Sequence, residues 1–598
     1  MRGIGMKYYC NPLNINYKYQ FARSRRQGME QAVVYREAAD PSLILFKGLY
    51  YMFPSMTAGF LTSDDLASWE FHEFKGGDIP VYDYAPDVRV VGDYIYFSAS
   101  KGSGICDFYR SKDPLAEPFE KIPGSFTFWD PNLFCDDDGR LYFYWGCSNT
   151  KPIYGVELDR ETMKPLSEPA ALIFSDNVKI GYERKGEDHV PEKTQEEITA
   201  QAEAMVAQML AASEDFRKAN GLDSEEKCRA IAYSVCGNAP YIEGAWLTKH
   251  GGKYYLQYSA PGTEFNIYAD GVYVSGSPLG EYKLAKNNPF SYKPGGFING
   301  AGHGSTLEDK NGNFWHTSTM SISKNHSFER RIGLWKAGFD SDGELFCDQR
   351  YGDFPVNIDA PPFAKPDFML LSYGKAGVLT DEDCRTWLKI KPGESAAVDL
   401  GTAYDVRAVQ INFADDKMLA AMPKVESEYA GEGRYIDRER KYTRWLLEGS
   451  LDGETYFLVE DKRQAQTDLP HDFLYFKEGR KIRFLKLTVF EVPHGEPAIS
   501  AIRVFGIGGG ALPKQIENFK LEQHGDLDMD VSWDAVDATG YNILWGYAPD
   551  KLYHSYMVFG KTCRRIGALI KGEPVFVRVD AFNENGITEG KVYPIGNQ

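Results

Sequence analysis

Short apolar runs, each closed by a glycine-bearing turn and followed by an aromatic-rich run, recur along the first 350 residues. The runs open at Asp40, Asp87, Asp130, Glu243 and His303 and turn at Lys47-Gly48, Gly92-Asp93, Asp138-Gly139, Gly251-Gly252 and Asn311-Gly312. Each half is short enough for a strand, and the turn residues are those of tight hairpins. The first two of the four intervals, Asp40 to Asp87 and Asp87 to Asp130, come to roughly one blade of about 45 residues in a four-stranded propeller. The interval between the third and fourth units is much longer. Within it, Thr194 and Glu197 have capping-box spacing, and Ile198, Ala202, Met205, Met209 and Phe216 recur at helical spacing before Gly221. The pattern predicts an all-β chain: a five-bladed propeller over 1–360, with a helical insertion at about 190–225. That helix either caps the propeller's side or leans over its channel.

Beyond residue 367 the alternation resumes. Residues 351–367 are proline-rich and read as a stiff linker. Strand patterns follow in two sets, over 368–508 and 512–598, separated by Gly508–Gly510 and Pro513. A charged insertion at 416–441 interrupts the first set.

Composition narrows the partners. Asp+Glu 85 against Lys+Arg 67 gives a net charge of −18, which disfavours nucleic acid and anionic lipid. No apolar stretch is long enough to span a membrane. The nine scattered cysteines form no zinc spacing, and the first residues show no secretory pattern; both point to a cytoplasmic protein unless an export signal has been removed. The sequence leaves the oligomeric state open. The high aromatic content, 14%, fits β-structure and a neutral hydroxylated ligand.

A propeller's innermost strands line one channel, so the spacing predicts that Asp40, Asp87, Asp130, Glu243 and His303 converge there. Carboxylates facing one another raise at least one pKa, and an acid beside an ionised base is what glycoside hydrolysis needs.

Ala39-Asp40-Pro41, Trp129-Asp130-Pro131 and Tyr241-Ile242-Glu243-Gly244, supported by Ala85-Pro86-Asp87 and Gly302-His303-Gly304-Ser305, resemble glycoside hydrolase family 43. The resemblance implies Asp40 as the general base, Glu243 as the general acid and Asp130 as the group that orients the acid and keeps its pKa raised. It leaves Asp87 a structural role. His303 matches an axial histidine beside either a water or a calcium ion, with no cofactor required. Either Arg330 or Arg331, Arg331 being the one named as the contact, matches an arginine that approaches the sugar. Trp129 and Tyr84 precede channel-facing groups and either stack on a sugar or pack the blades. The implied activity is an inverting, exo-acting glycosidase releasing a terminal pentose from an oligosaccharide or polysaccharide: an α-L-arabinofuranosidase or β-xylosidase. Alternatives are a β-galactofuranosidase or galactan-acting enzyme, and an inactive sugar-binding propeller. The two C-terminal sets resemble discoidin-type (factor 5/8 C) and fibronectin type III sandwiches. The first either binds sugar or packs on the propeller; the second acts as a spacer.

Overall fold

The computed structural model describes residues 7–23, 31–76, 79, 85–101, 104–189, 192–219, 221–322, 326, 328–421, 430–431 and 434–595. Five antiparallel sheets follow one another from Ala39 to Asp348, four of four strands and one of five. Their innermost strands are Ala39–Phe46, Asp87–Val91, Asn132–Cys135, Glu243–His250 and Asn299–Glu308. Each packs beside the next, and the fifth returns to the first. The chain is therefore a closed five-bladed propeller, as the repeat predicts. All the hairpin turns form where the glycines place them. The inner strand of blade 1 is buried along almost its whole length, which explains why it reads as a continuous apolar run rather than an alternating one.

The structure shifts the register of the repeat. The residues with left-handed backbone at the start of each blade are Asp40, Ala85, Asp130, Gly244 and His303, with φ between 49° and 61°. Ala85, not Asp87, is thus the equivalent of Asp40 and Asp130. Asp87 belongs to a second set, two residues further along each strand, which ties every blade to the next. The Val88 N–H donates to Ser42 Oγ at 3.0 Å, the Leu133 N–H to Asp87 Oδ2 at 2.7 Å and the Leu247 N–H to Asn132 Oδ1 at 2.8 Å. The Trp246 indole donates to the Thr306 carbonyl at 3.2 Å, and the Leu43 N–H to Ser305 Oγ at 3.0 Å, which closes the ring. Asp87 also accepts from Asn132 Nδ2 at 2.8 Å, so it faces sideways into blade 3 and away from the axis.

The excursion between blades 3 and 4 holds more helix than the pattern predicts. α1 (Gln195–Ala211) begins with the expected Thr194–Glu197 capping box. α2 (Glu214–Ala219) is short, and α3 (Glu225–Cys236), capped by Ser224, extends the insertion past 225. The small buried residues Cys228, Ala232 and Cys236 seat α3 on Ile198, Ala202 and Val206 of α1. Their four-residue spacing carries the signal for α3, but they are too small to stand out as an apolar face. No helix among the described residues is long and apolar enough to cross a membrane.

The C-terminal strands are built into the propeller. A curled sheet in the order 369–370, 498–507, 395–413, 471–491, 444–450, 456–461 encloses its own apolar cluster. Its 19-residue strand Ser395–Phe413 changes register at two bends, where the sequence reads as two strands. Buried ion pairs fix this sheet to the propeller. Arg36 Nη1 lies 2.6 Å from Asp415, Arg36 Nη2 lies 3.1 Å from Asp468, and Arg331 of blade 5 lies 3.2 Å from Asp415. The last unit pairs a sheet of 517–524, 528–534 and 563–566 with one of 554–559, 540–546, 576–583 and 586–588. Its core residues Val531, Trp545 and Val577 share one apolar cluster with Tyr144, Leu256 and Tyr258 of blades 3 and 4. A spacer would not bury such a face; this unit is packed on the propeller.

One sheet is invisible in the sequence patterns. The hairpin of Lys18–Arg23 and Gln31–Glu37 is flanked by Met418–Ala421 on one side and Arg434–Ile436 on the other, so the charged insertion supplies its edges.

Removing Asp87 strips two donors in blade 3 of their acceptor, and unsatisfied buried groups cost about 1–3 kcal/mol each. Asp87→Ala is expected to lower the unfolding free energy by at least about 2 kcal/mol in urea titration. An unchanged midpoint would show that the inter-blade ring does not hold the propeller.

Candidate functional site

The five axial residues reach the channel through irregular backbone. Pairing shifts between Ala39 and Ser42, between Glu243 and Trp246, and on both sides of Gly302 in blades 1, 4 and 5. Such bulges turn a side chain out of the pleat, and each left-handed non-glycine residue costs roughly 1–3 kcal/mol. Hydroxyls from the far end of each second strand pin this backbone. The Asp40 N–H donates to Thr319 Oγ1 at 2.7 Å, Ala85 N–H to Ser55 Oγ at 2.7 Å, Asp130 N–H to Ser100 Oγ at 3.0 Å and His303 N–H to Ser259 Oγ at 2.6 Å. In blade 3 the group at that end is Cys147, whose thiol lies 3.2 Å from Glu243 Oε2 and donates to it.

The structure brings Asp40, Asp130, Glu243 and His303 together. His303 Nδ1 stands 3.4 Å from Asp40 Oδ1 and 3.9 Å from Asp130 Oδ2. An Asp130 oxygen, Cys147 Sγ and a Glu243 oxygen lie within 4.8 Å of one another. Glu243 is reached from the strand position before the axial one because Gly244 occupies that slot. A Cβ there would sit 2.7 Å from Ser259 Oγ and 2.9 Å from the His303 ring, at φ +61°, so only glycine fits. The Tyr268 hydroxyl donates to the other Glu243 oxygen. Burial first, and Glu243 next, push that phenol well up, so it remains a donor.

The two aspartates are set apart electrostatically. Burial pushes Asp40 up, but Arg330, His303 and the Ser55 and Thr319 hydroxyls outweigh it and hold the carboxyl below its usual range. Arg330 Nη1 lies 3.1 Å from Asp40 Oδ1, and the Ser55 Oγ donates to Asp40 Oδ2 at 2.8 Å. Asp130 is equally buried without such a partner. Burial, relieved in part by His303 and reinforced by Glu243 and Asp40, pushes its carboxyl to about 7. His303 is pulled down by burial but raised overall by Asp40, Asp130 and Glu243. Asp40 is thus kept charged, while Asp130 retains its proton up to near neutrality.

Arg331 is not at the site. Successive residues of a strand face opposite sides, and Arg331 points away, fully buried against His471 at 2.9 Å and Asp415 at 3.2 Å. Arg330 is the arginine at the axis, held on its other side by Glu37 at 2.7 Å. Trp129 is partly buried, its carbonyl accepting from the Gly146 N–H at 2.8 Å. Tyr84 lies outside the described residues. Glu37, Ser55, Cys147, Tyr268 and Thr319 have no counterpart among the residues singled out from the sequence. The hydroxyls were legible: a Ser or Thr ends the aromatic strand in four of the five repeats, at Ser55, Ser100, Ser259 and Thr319.

A calcium ion does not fit beside His303. Calcium takes oxygen ligands, whereas His303 presents a ring nitrogen here, 3.4 Å from Asp40 and 3.9 Å from Asp130; a water suits the position better. Nor do Asp130, Cys147 and Glu243 read as a metal site. Burial, with Asp130 and Glu243, keeps the Cys147 thiol protonated, and it donates to Glu243 instead.

Residues 200–345 match the model of the glycosyl hydrolases family 43. That span contains Glu243 and His303, whereas Asp40 and Asp130 precede it. A β-xylosidase from Xylanibacter ruminicola is 23% identical over 43% of this chain and 78% of its own length. A xylosidase/arabinosidase 43A from Humicola insolens is 25% identical over 52% and 96%. Among solved structures, the Bacteroides ovatus xyloglucan PUL GH43B is 13% identical, with a TM-score of 0.41, covering 98% of this chain and 92% of that one.

Because the folded state takes up a proton at Asp130 that the unfolded chain releases near pH 4, this group's burden on stability grows between about pH 4 and 7. Asp130→Asn, which has no charge to bury, is therefore expected to gain stability relative to wild type at pH 8 compared with pH 5. A thermal-melt difference independent of pH would contradict the raised carboxyl.

Proposed function

We propose that the protein is an inverting, exo-acting glycoside hydrolase of family 43 that releases a terminal pentose, as an α-L-arabinofuranosidase or β-xylosidase. The observation that carries this reading is the division of charge in the channel: an ionised Asp40 on one side of His303, and on the other a proton-retaining Asp130 with Glu243 beside it. Asp40 takes a proton from the attacking water. Glu243, held by Tyr268 and Cys147, protonates the departing glycosidic oxygen. Asp130, beside Glu243, orients that acid. Separate base and acid groups facing one sugar ring are the arrangement of inversion. The pentose preference is supported by the relatives that carry xylosidase and arabinosidase names. No cofactor enters the reaction.

The curled sheet at 369–507 is read as a discoidin-type module. The 517–594 sandwich is read as fibronectin type III, supported by its two antiparallel sheets of three and five strands. A reducing, cytoplasmic setting is supported by nine cysteines that all stand as free thiols, six of them buried.

Nitrophenyl α-L-arabinofuranoside, β-D-xyloside and β-D-galactofuranoside, together with a natural oligosaccharide, test the reading. Pentoside turnover with inverted product by NMR is expected, and Asp40→Asn and Glu243→Gln are expected to lose ~10²–10⁴-fold on the unactivated oligosaccharide. Turnover of none of these substrates would overturn it, and turnover of the galactofuranoside alone would replace the pentose.

Arg330 and Arg331 separate on pH. Removing the cation that favours the Asp40 carboxylate raises its pKa, so Arg330→Met is expected to move the acid limb of kcat/KM upward. Arg331→Met is expected to leave that limb in place and lower the Tm. Equal behaviour of the two would contradict the assignment.

A further inference from the structure

A cavity of about 480 Å³ lies between the outer strand of blade 1 and the charged insertion, away from the channel. Its lining carries five Lys or Arg side chains against two Glu, in a chain whose net charge is −18. Both glutamates are already engaged: Glu73 by Arg438 at 3.0 Å and Glu439 by Lys441 at 2.8 Å. Lys18, Lys75 and Arg440 have no ion-pair partner among the described residues. Lys18 lies over the Phe71 ring, its Nζ 4.2 Å from the centroid. Burial pulls its ammonium below the usual lysine range, more than Glu73 and Asp437 restore. Three cations without an ion-pair partner among the described residues therefore line one cavity, Lys18 partly buried and Lys75 and Arg440 exposed.

Part of the cavity's lining stands at the catalytic end of the blade. Glu73 pairs with Gly59 at the same end at which Ala39, next to Asp40, pairs with Ser55. Lys18 pairs across its hairpin with Glu37, the residue that holds Arg330. Three strand spacings of roughly 4.8 Å put the outer strand about 15 Å from the inner one, a separation that a short oligosaccharide spans.

We infer that this cavity is a second glycan-binding site that takes a carboxylate-bearing sugar, a uronic acid residue of an acidic polysaccharide, while a neutral terminal sugar occupies the channel. The inference rests on the glycosidase reading for its sugar and on the cavity for its charge. Lysine and arginine supply charge-assisted hydrogen bonds to the carboxylate, with Arg440 able to bind it bidentately.

Calorimetry on full-length protein silenced by Asp40→Asn, which separates binding from turnover, tests this. The probes are a glucuronic-acid-substituted xylo-oligosaccharide, the same compound with its carboxyl reduced to an alcohol, and sodium sulfate. The acidic oligosaccharide is expected to bind at least tenfold more tightly than the reduced one. Adding Lys75→Ala and Arg440→Ala is expected to erase that difference, and the same pair in active protein should leave kcat/KM on a neutral nitrophenyl pentoside unchanged. Equal binding of the acidic and reduced compounds, or an advantage that survives the double substitution, would overturn the site. Sulfate binding as tight as the acidic oligosaccharide would overturn the glycan and leave a small-anion site. A protein that turns over no glycoside yet shows the carboxylate preference would refute the activity and not the cavity.

Discussion

The structure depends on a ring of hydrogen bonds in which one side chain per blade reaches the backbone of the next. Ser42, Asp87, Asn132, Trp246 and Ser305 differ in chemistry, yet each spans the same gap. Sheets that touch only through apolar faces slide, because hydrophobic contact is non-directional. A directional bond at the same height in every blade fixes each blade against its neighbours, so residues about 45 or more positions apart arrive at one axis in register. The hydroxyls that hold the left-handed axial residues form a second layer on this ring, and the strain at Asp40, Asp130 and His303 persists because both layers hold it.

Within that frame the chemistry follows from unequal compensation. Asp40 and Asp130 are alike in burial and in backbone, and both face His303. They differ because Arg330, Ser55 and Thr319 converge on Asp40, whereas Asp130 meets another carboxylate and a neutral thiol. Identical positions in a repeat thus acquire opposite protonation through neighbours that the repeat does not specify.

Much of this was legible in the sequence. The turns, the blade count, the capping box and the convergence of Asp40, Asp130, Glu243 and His303 follow from spacing and residue type. Asp87 misled because it stands two residues past its true repeat position, where an acid serves as an inter-blade acceptor; the equal 45-residue steps from Asp40 to Ala85 to Asp130 carry the correct register. Arg330 and Arg331 cannot be separated without knowing which face of their strand meets the channel. The hairpin at 18–37 escapes because its partner strands lie some 400 residues away. Glu37, Cys147 and Tyr268 matter only through contacts in three dimensions, and no local pattern marks them.

The pair Arg36 and Glu37 has an architectural consequence. One binds Asp415 and Asp468 in the curled sheet, while its neighbour holds the arginine at Asp40. Cutting the chain near residue 360 would strip Arg36 of Asp415 and Asp468 on a newly opened surface, one peptide bond from the residue that holds Arg330. The apparent string of exchangeable parts is consequently a single heritable unit: the propeller is not a cassette that recombination can pass on without its C-terminal companion.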